Sequence, residues 1–317
     1  MSSFGNFVQL FFIISGFGMC CGYYEKVKNN IIDLNSFYNK RYAKILPFFA
    51  LLTFLDLAVS FVLTGSVGIG NIYEAFANLT LMFGFYTVEG MSVIGVGWTL
   101  GVIFGFYILF PFFIYLIWTK KRAWFSLILT IVITYVSTTY FGTKGSLTFT
   151  SMCYFVAGGL IYLYKDTIAG LIKNKSIGIA VTIAGFVFVF IVKIPVNGDV
   201  SVLILNMKML VGFGLMVIGA LCEDTKLWSN PITRIISGVS LEIYLAHMMV
   251  FRAIQKMGLT QIVGESSLSY VLVCVLTIVG VLMFAFGYQW FEKKDTAAIT
   301  SCVNKKELRW RRKKKFG

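Results

Sequence analysis

Nine times along this chain a run of roughly 18–24 residues passes with little or no charge, near 7–24, 44–64, 95–118, 124–141, 147–164, 177–194, 201–222, 235–255 and 268–290. A helix needs about 20 mostly apolar residues to cross a bilayer core. There it must satisfy its own backbone, because lipid offers no hydrogen bonds. The runs are continuous, without the strict alternation of transmembrane barrel strands. The expected fold is all-α: a polytopic transmembrane helix bundle of about nine spans. Residues 72–88 are apolar but too short and too polar to span, and read as an interfacial or re-entrant helix. Composition agrees, with 58% hydrophobic and only 13% charged residues, where soluble domains carry about a quarter charged.

The basic residues orient the bundle. Cytoplasmic loops collect Lys and Arg, and 23 of the 28 here fall in alternate connections: 25–44, 119–123, 165–176, 223–234 and the end 291–317. Between them, residues 65–94 hold no basic residue and carry Glu74 and Glu89. Nine spans with a basic C-terminus inside place the N-terminus outside. The net charge of +14 therefore reports membrane orientation, and no nucleic-acid partner is expected. Met1 to Asn6 lacks the positive start of a signal peptide. The chain divides into a transmembrane domain, 1–294, and a polybasic cytoplasmic tail, 295–317. The run Lys305 to Lys315 suits anionic membrane lipids, each charge contributing about 1 kcal/mol at the surface. The six cysteines show no CxxC pairing, so free thiols are expected and no metal site.

Four polar constellations interrupt the apolar runs. In Phe37-Tyr38-Asn39-Lys40-Arg41-Tyr42-Ala43-Lys44-Ile45-Leu46-Pro47, Arg41 and Lys44 are three apart and share a helix face. Arg offers a planar fork that suits phosphate and Lys a point charge. A docking site for a phosphorylated cofactor and ordinary loop charge are both open readings. Ser240, Tyr244 and His247, the only histidine, fall at i, i+4 and i+7 on one stripe. They fit either a site facing the bundle interior or interhelical hydrogen bonds. Gly95, Gly97, Gly101 and Gly105 surround Trp98 and precede Tyr107; spacing by four permits close helix approach. Ser15, Gly16 and Gly18 do the same in the first run. Asp56, Lys193 and Lys208 also lie in or near spans, where ionisable groups are costly.

Taken in order, these segments resemble the acyltransferase 3 family of membrane acyltransferases. Val8-Gln9-Leu10-Phe11-Phe12-Ile13-Ile14-Ser15-Gly16-Phe17 is similar to its second helix. Arg41-Tyr42-Ala43-Lys44-Ile45-Leu46-Pro47 is similar to the R-x-x-R-I-x-P entry to its third. Trp98-Thr99-Leu100, with Phe106-Tyr107 and Pro111, resembles its W-x-L…FY…P helix. Ser240-Leu241-Glu242-Ile243-Tyr244-Leu245-Ala246-His247 resembles its S-Y-x-x-Y-L-x-H helix, and Trp290-Phe291-Glu292-Lys293 its last ending.

The resemblance implies transfer of an acyl group, usually acetyl, from cytosolic acyl-CoA to a hydroxyl of a cell-surface or lipid-linked saccharide at the plasma membrane. It implies that Arg41 and Lys44 hold CoA phosphates, and that Ser15, Trp98, Tyr107, Ser240 and Tyr244 line the site. The family has ten helices, and its first carries an Arg and, about ten residues on, the catalytic His. Nine spans expect a chain lacking that helix, with His247 as the remaining candidate base. Lys44 stands where the family prefers Arg, and Ile103 and Phe104 where many members carry Glu. The rival expectations are a truncated, inactive acyltransferase-like protein and a glycan transporter.

Overall fold

The computed structural model describes residues 4–85, 96–142, 147–172, 174–195, 198, 200–221, 230–259 and 267–316. Glu89, Gly95, Lys144, Lys173, Cys222 and Lys226, and the side chains of the 305–315 run, lie outside the described residues. Among those described, every regular element is helical: α1 (Phe7–Lys28), α2 (Leu34–Thr64), α3 (Ile69–Thr80), α4 (Trp98–Leu116), α5 (Lys120–Thr139), α6 (Thr148–Leu171), α7 (Lys175–Phe190), α8 (Ser201–Leu221), α9 (Pro231–Gly238), α10 (Ser240–Lys256) and α11 (Ser267–Phe316). Short 3-10 turns cover Phe4–Asn6 and Met82–Phe85.

Six described helices are long and apolar enough to cross a membrane: α1, α2, α4, α5, α8 and the Ser269–Glu292 part of α11. The pair α9–α10, bent by 63°, adds a seventh if it is one broken span. α7 is apolar but has 16 residues. α6 has 24 residues, yet its Thr, Ser, Tyr and Gly content keeps it outside the six. At the position expected for an interfacial or re-entrant helix, α3 has 12 residues, too few to span, and exposes Ile69, Ile72, Tyr73 and Phe76.

Local signals set the helix ends. The Asp33 carboxylate accepts from the Asn35 and Ser36 amides and starts α2. Gly65, at φ 72°, ends it in the left-handed region that glycine tolerates without strain. Thr119 and Asn174 cap α5 and α7 in the same way as Asp33.

The chain forms two compact units, Met1–Asn230 and Pro231–Gly317. In the first, α6 is the hub, buried from Thr150 to Tyr162. Its seam with α1 depends on glycine: a Cβ on Gly158 would collide with the Ile13 carbonyl oxygen, and one on Gly16 with that of Phe155. Aromatic rings fill the rest. Phe155 stacks on Phe106 of α4 at 4.0 Å and on Phe12 of α1 at 5.1 Å. Polar side chains tie neighbours to the hub. Thr134 of α5 donates to the Thr150 carbonyl at 3.0 Å, and the Tyr154 hydroxyl to Asn206 of α8 at 2.7 Å. Lys208 has its partner too, donating to the Val192 carbonyl beyond α7 at 2.6 Å. In a bilayer, small residues and such cross-helix hydrogen bonds hold helices together, because lipid is as apolar as they are. Cys20, Cys21, Cys153 and Cys274 are free thiols.

In the second unit α10 packs on α11. The side of α10 buried deepest carries Glu242, Leu245, Ala246 and Ile254. Gln289 of α11 donates to the Gly238 carbonyl at 2.8 Å, beside the break between α9 and α10.

Candidate functional site

α2 buries a narrow stripe, Phe37, Ile45, Phe48, Phe49 and Leu52. Arg41 falls on it, one turn from Phe37 and one from Ile45, so an arginine is carried inward on an apolar seam. Lys44 is exposed beside it. The two basic residues read as one face are thus split by burial: Arg41 half inside, Lys44 facing out.

Three aromatic rings receive Arg41. Its guanidinium carbon is 5.3 Å from the Tyr23 ring of α1, 5.7 Å from Phe37 and 5.2 Å from Tyr107 of α4. A cation within about 6 Å of a ring face is attracted by its quadrupole. The rings are braced in turn. Tyr23 meets Phe37 edge-on at 4.8 Å, Phe37 stacks on Phe110 at 5.6 Å, and the Tyr38 hydroxyl donates to the Ile108 carbonyl at 3.1 Å. The Arg41 Nε is buried and has no hydrogen-bond partner. A buried, unmatched donor costs about 1–3 kcal/mol. The rings screen the charge but accept no N–H bond, so the Nε stays unmatched behind them. The planar fork of a guanidinium is a shape that suits phosphate.

Two of the residues singled out in the sequence, Arg41 and Tyr107, therefore meet. Tyr23 and Phe37 complete the cage and were not singled out. Their only signal was aromatic identity close to a basic loop, which interfacial anchors share. The others stand apart. Trp98 opens α4, about 13 Å along the axis from Tyr107, and meets Phe12 edge-on at 6.3 Å. Ser15 is half-buried on α1, about 12 Å along the axis from Tyr23. Ile103 and Phe104 are buried, and Phe104 meets Tyr42 at 4.6 Å.

Ser240, Tyr244 and His247 belong to the second unit. Ser240 is exposed and donates to the Ser237 carbonyl at 2.9 Å, bracing the break before α10. Tyr244 and His247 are half-buried, with ring centroids 5.8 Å apart. The His247 Nδ1 meets the Tyr244 carbonyl, and since a carbonyl oxygen only accepts, the contact suits a ring with its proton on Nδ1. Glu242, from the same motif, is the buried polar residue of α10, and its Oε2 has no hydrogen-bond partner.

Among family models, the one named acyltransferase 3 and described as an acyltransferase domain matches residues 2–286. No curated protein matches the chain. No solved structure matches it either.

Proposed function

The chain belongs to the acyltransferase 3 family and is an O-acyltransferase-type membrane enzyme, and on that premise we propose that it moves an acyl group, acetyl in the simplest case, from cytosolic acyl-CoA to a hydroxyl of a cell-surface or lipid-linked saccharide at the plasma membrane. The observation that carries the donor half is the caged Arg41 with its unpaired Nε. Acyl-CoA brings phosphates, and the fork is fixed before they arrive, so little side-chain entropy is lost on binding. Lys44, exposed nearby on α2, adds a point charge.

The reaction makes an ester C–O bond and breaks the thioester C–S bond. The hydroxyl proton leaves through a base and ends on the CoA thiol. An imidazole can take a proton at one ring nitrogen and give it up again, which suits that exchange. His247, whose Nδ1 meets the Tyr244 carbonyl, is the residue we assign to it. In the first unit Trp98 and Ser15 are proposed to line the path of the acceptor; in the second, Ser240 and Tyr244 are proposed to flank His247.

The test is binding and turnover of labelled acetyl-CoA by the purified chain in detergent. Arg41→Ala should weaken donor binding at least about tenfold, the scale of one charge-assisted hydrogen bond, and leave the melting temperature nearly unchanged. His247→Gln should lower turnover and leave donor binding alone. Unchanged donor affinity in Arg41→Ala would sink the assignment of the cage.

A further inference from the structure

At the lysine-rich end of the first unit, three helices and the turn between α4 and α5 form a collar of ammonium groups set on aromatic rings. Lys28 of α1 lies 5.5 Å from the Tyr24 ring and 5.9 Å from Trp118, in the turn between α4 and α5. Lys165 of α6 lies 4.3 Å from Tyr162. Lys120 of α5 lies 4.4 Å from Tyr164. The rings fall in two groups on α6. Tyr24 is 5.2 Å from Tyr162 and its hydroxyl donates to the Trp118 carbonyl at 2.9 Å, while the Trp124 indole donates to the Tyr164 hydroxyl at 3.3 Å. The turn is pinned from the other side by Ser126, which donates to the Leu116 carbonyl at 2.9 Å.

Solvated loop lysines range freely. These three are held against ring faces, and a ring face takes none of the three N–H donors of an ammonium. Lys121 and Arg122 follow on α5, and Glu25 and Asp166 are the acidic residues beside them in sequence. The positive excess is large. Directly beyond the charges, α5 turns a stripe outward: Phe125, Ile128, Leu129 and Val132, all exposed. The spacing is that of one helix face, and the stripe runs about 10 Å down the helix. A basic, ring-braced head position therefore continues into an apolar track on the same helix.

We propose that this collar is a binding site for one anionic phospholipid, whose phosphate is held by Lys28, Lys120 and Lys165 and whose acyl chain lies along the Phe125–Val132 stripe. Anionic headgroup and apolar tail match the two halves of the surface, and a zwitterionic headgroup matches only one. The site is separate from the Arg41 cage and does not depend on the donor assigned to that cage.

Native mass spectrometry of the purified full chain with phosphatidylglycerol and phosphatidylcholine tests it. The chain should retain phosphatidylglycerol at least about tenfold better. The triple variant Lys28→Gln, Lys120→Gln, Lys165→Gln should reduce that retention by about a hundredfold, given the attraction of each charge at an anionic surface. Trp118→Leu keeps every charge and should still reduce it several-fold, because the ring that seats Lys28 is gone. Changing Lys313, Lys314 and Lys315 together to Gln should leave the collar's retention unaltered. A photoreactive phosphatidylglycerol should crosslink to α5 between Trp124 and Val132, a readout that needs no variant to fold. Equal retention of the two lipids overturns the proposal. So do an equal loss in the tail variant, crosslinks confined to other helices, and displacement of the lipid by excess acetyl-CoA, which would give these lysines to the cofactor's phosphates.

Discussion

α6 and α2 differ in opposite senses. α2 passes easily as a membrane span by composition, yet it exposes Phe54, Phe61 and Val62, the last at 81%. α6 does not pass, yet it is the most continuously buried helix described. Hydropathy in a bilayer records contact with lipid, and a helix surrounded by other helices has no need of it. What α6 needs is closeness, so it spends its sequence on Gly158, Gly159, Ser151 and Thr150. α2, with most of its surface turned away from protein, can carry Arg41 on its one narrow inward stripe. The scaffold and the candidate binding group thus sit on helices with contrasting packing.

The sharpest way to break that contrast is at the α1–α6 seam. Gly158→Ala forces a methyl group against the Ile13 backbone, which cannot move aside as a side-chain tip can. Overpacking of this kind costs about 1–3 kcal/mol, read as a lower melting temperature and a poorer yield of monodisperse protein. Gly18→Ala, on the same α1 but with open space at the Cβ, should hold or raise the melting temperature, since Ala is about 1 kcal/mol better than Gly in a helix. Equal behaviour of the two variants would mean that the seam does not hold the unit together. On α2, Phe54→Ala should change little in detergent, because the side chain is 57% exposed.

A smaller effect is expected where the hub is tied by polar groups. Tyr154→Phe removes the hydroxyl that donates to Asn206, and interhelical bonds in membranes average about 0.6 kcal/mol. The melting temperature should fall modestly. The loss should vanish when Asn206 is already Leu, which a double-mutant cycle would read directly.

Much of this was legible in the sequence, for definite reasons. Continuous apolar runs identify helices in lipid without knowledge of their neighbours, and the run over 44–64 lies inside α2. The interfacial or re-entrant reading of 72–88 followed from a run too short and too polar to span. Arg41 stood out because it pairs with Lys44 on one face at the entry to a span, in a segment that also carries the family resemblance. Its cage did not, since Tyr23, Phe37 and Tyr107 come from three helices, and nothing in linear order says that they converge. The inward face of α10 was unreadable for a related reason. The stripe of Ser240, Tyr244 and His247 and the stripe of Glu242, Leu245 and Ala246 are both regular, and only packing against α11 selects the second as the deeper one. The count of nine spans rests on composition, which weighs α6 and α7 below the other spans.

The finest test concerns the C-terminal part of α2, where α3 packs on it and Asn71 donates to the Ser60 hydroxyl at 3.3 Å. Burial pushes the Glu74 carboxyl of α3 above its ordinary value near 4.5, and the like charge of Asp56 adds to the rise. A folded pKa above the unfolded one favours the protonated form in the fold. Its stabilisation is complete below about 4.5 and is lost as pH rises through the folded value. At neutral pH the ionised Glu74 therefore burdens the contact between α3 and α2. Glu74→Gln removes the burden, so the variant should melt higher than the parent near neutral pH, and the gap should close as pH falls toward 4.5. The gap should be small, because Glu74 is only partly buried and solvent screens it. A gap that stays constant with pH would mean that the carboxylate plays no part in this packing. One that widens on acidification would mean that the ionised Glu74 stabilises it, through a partner other than Asp56.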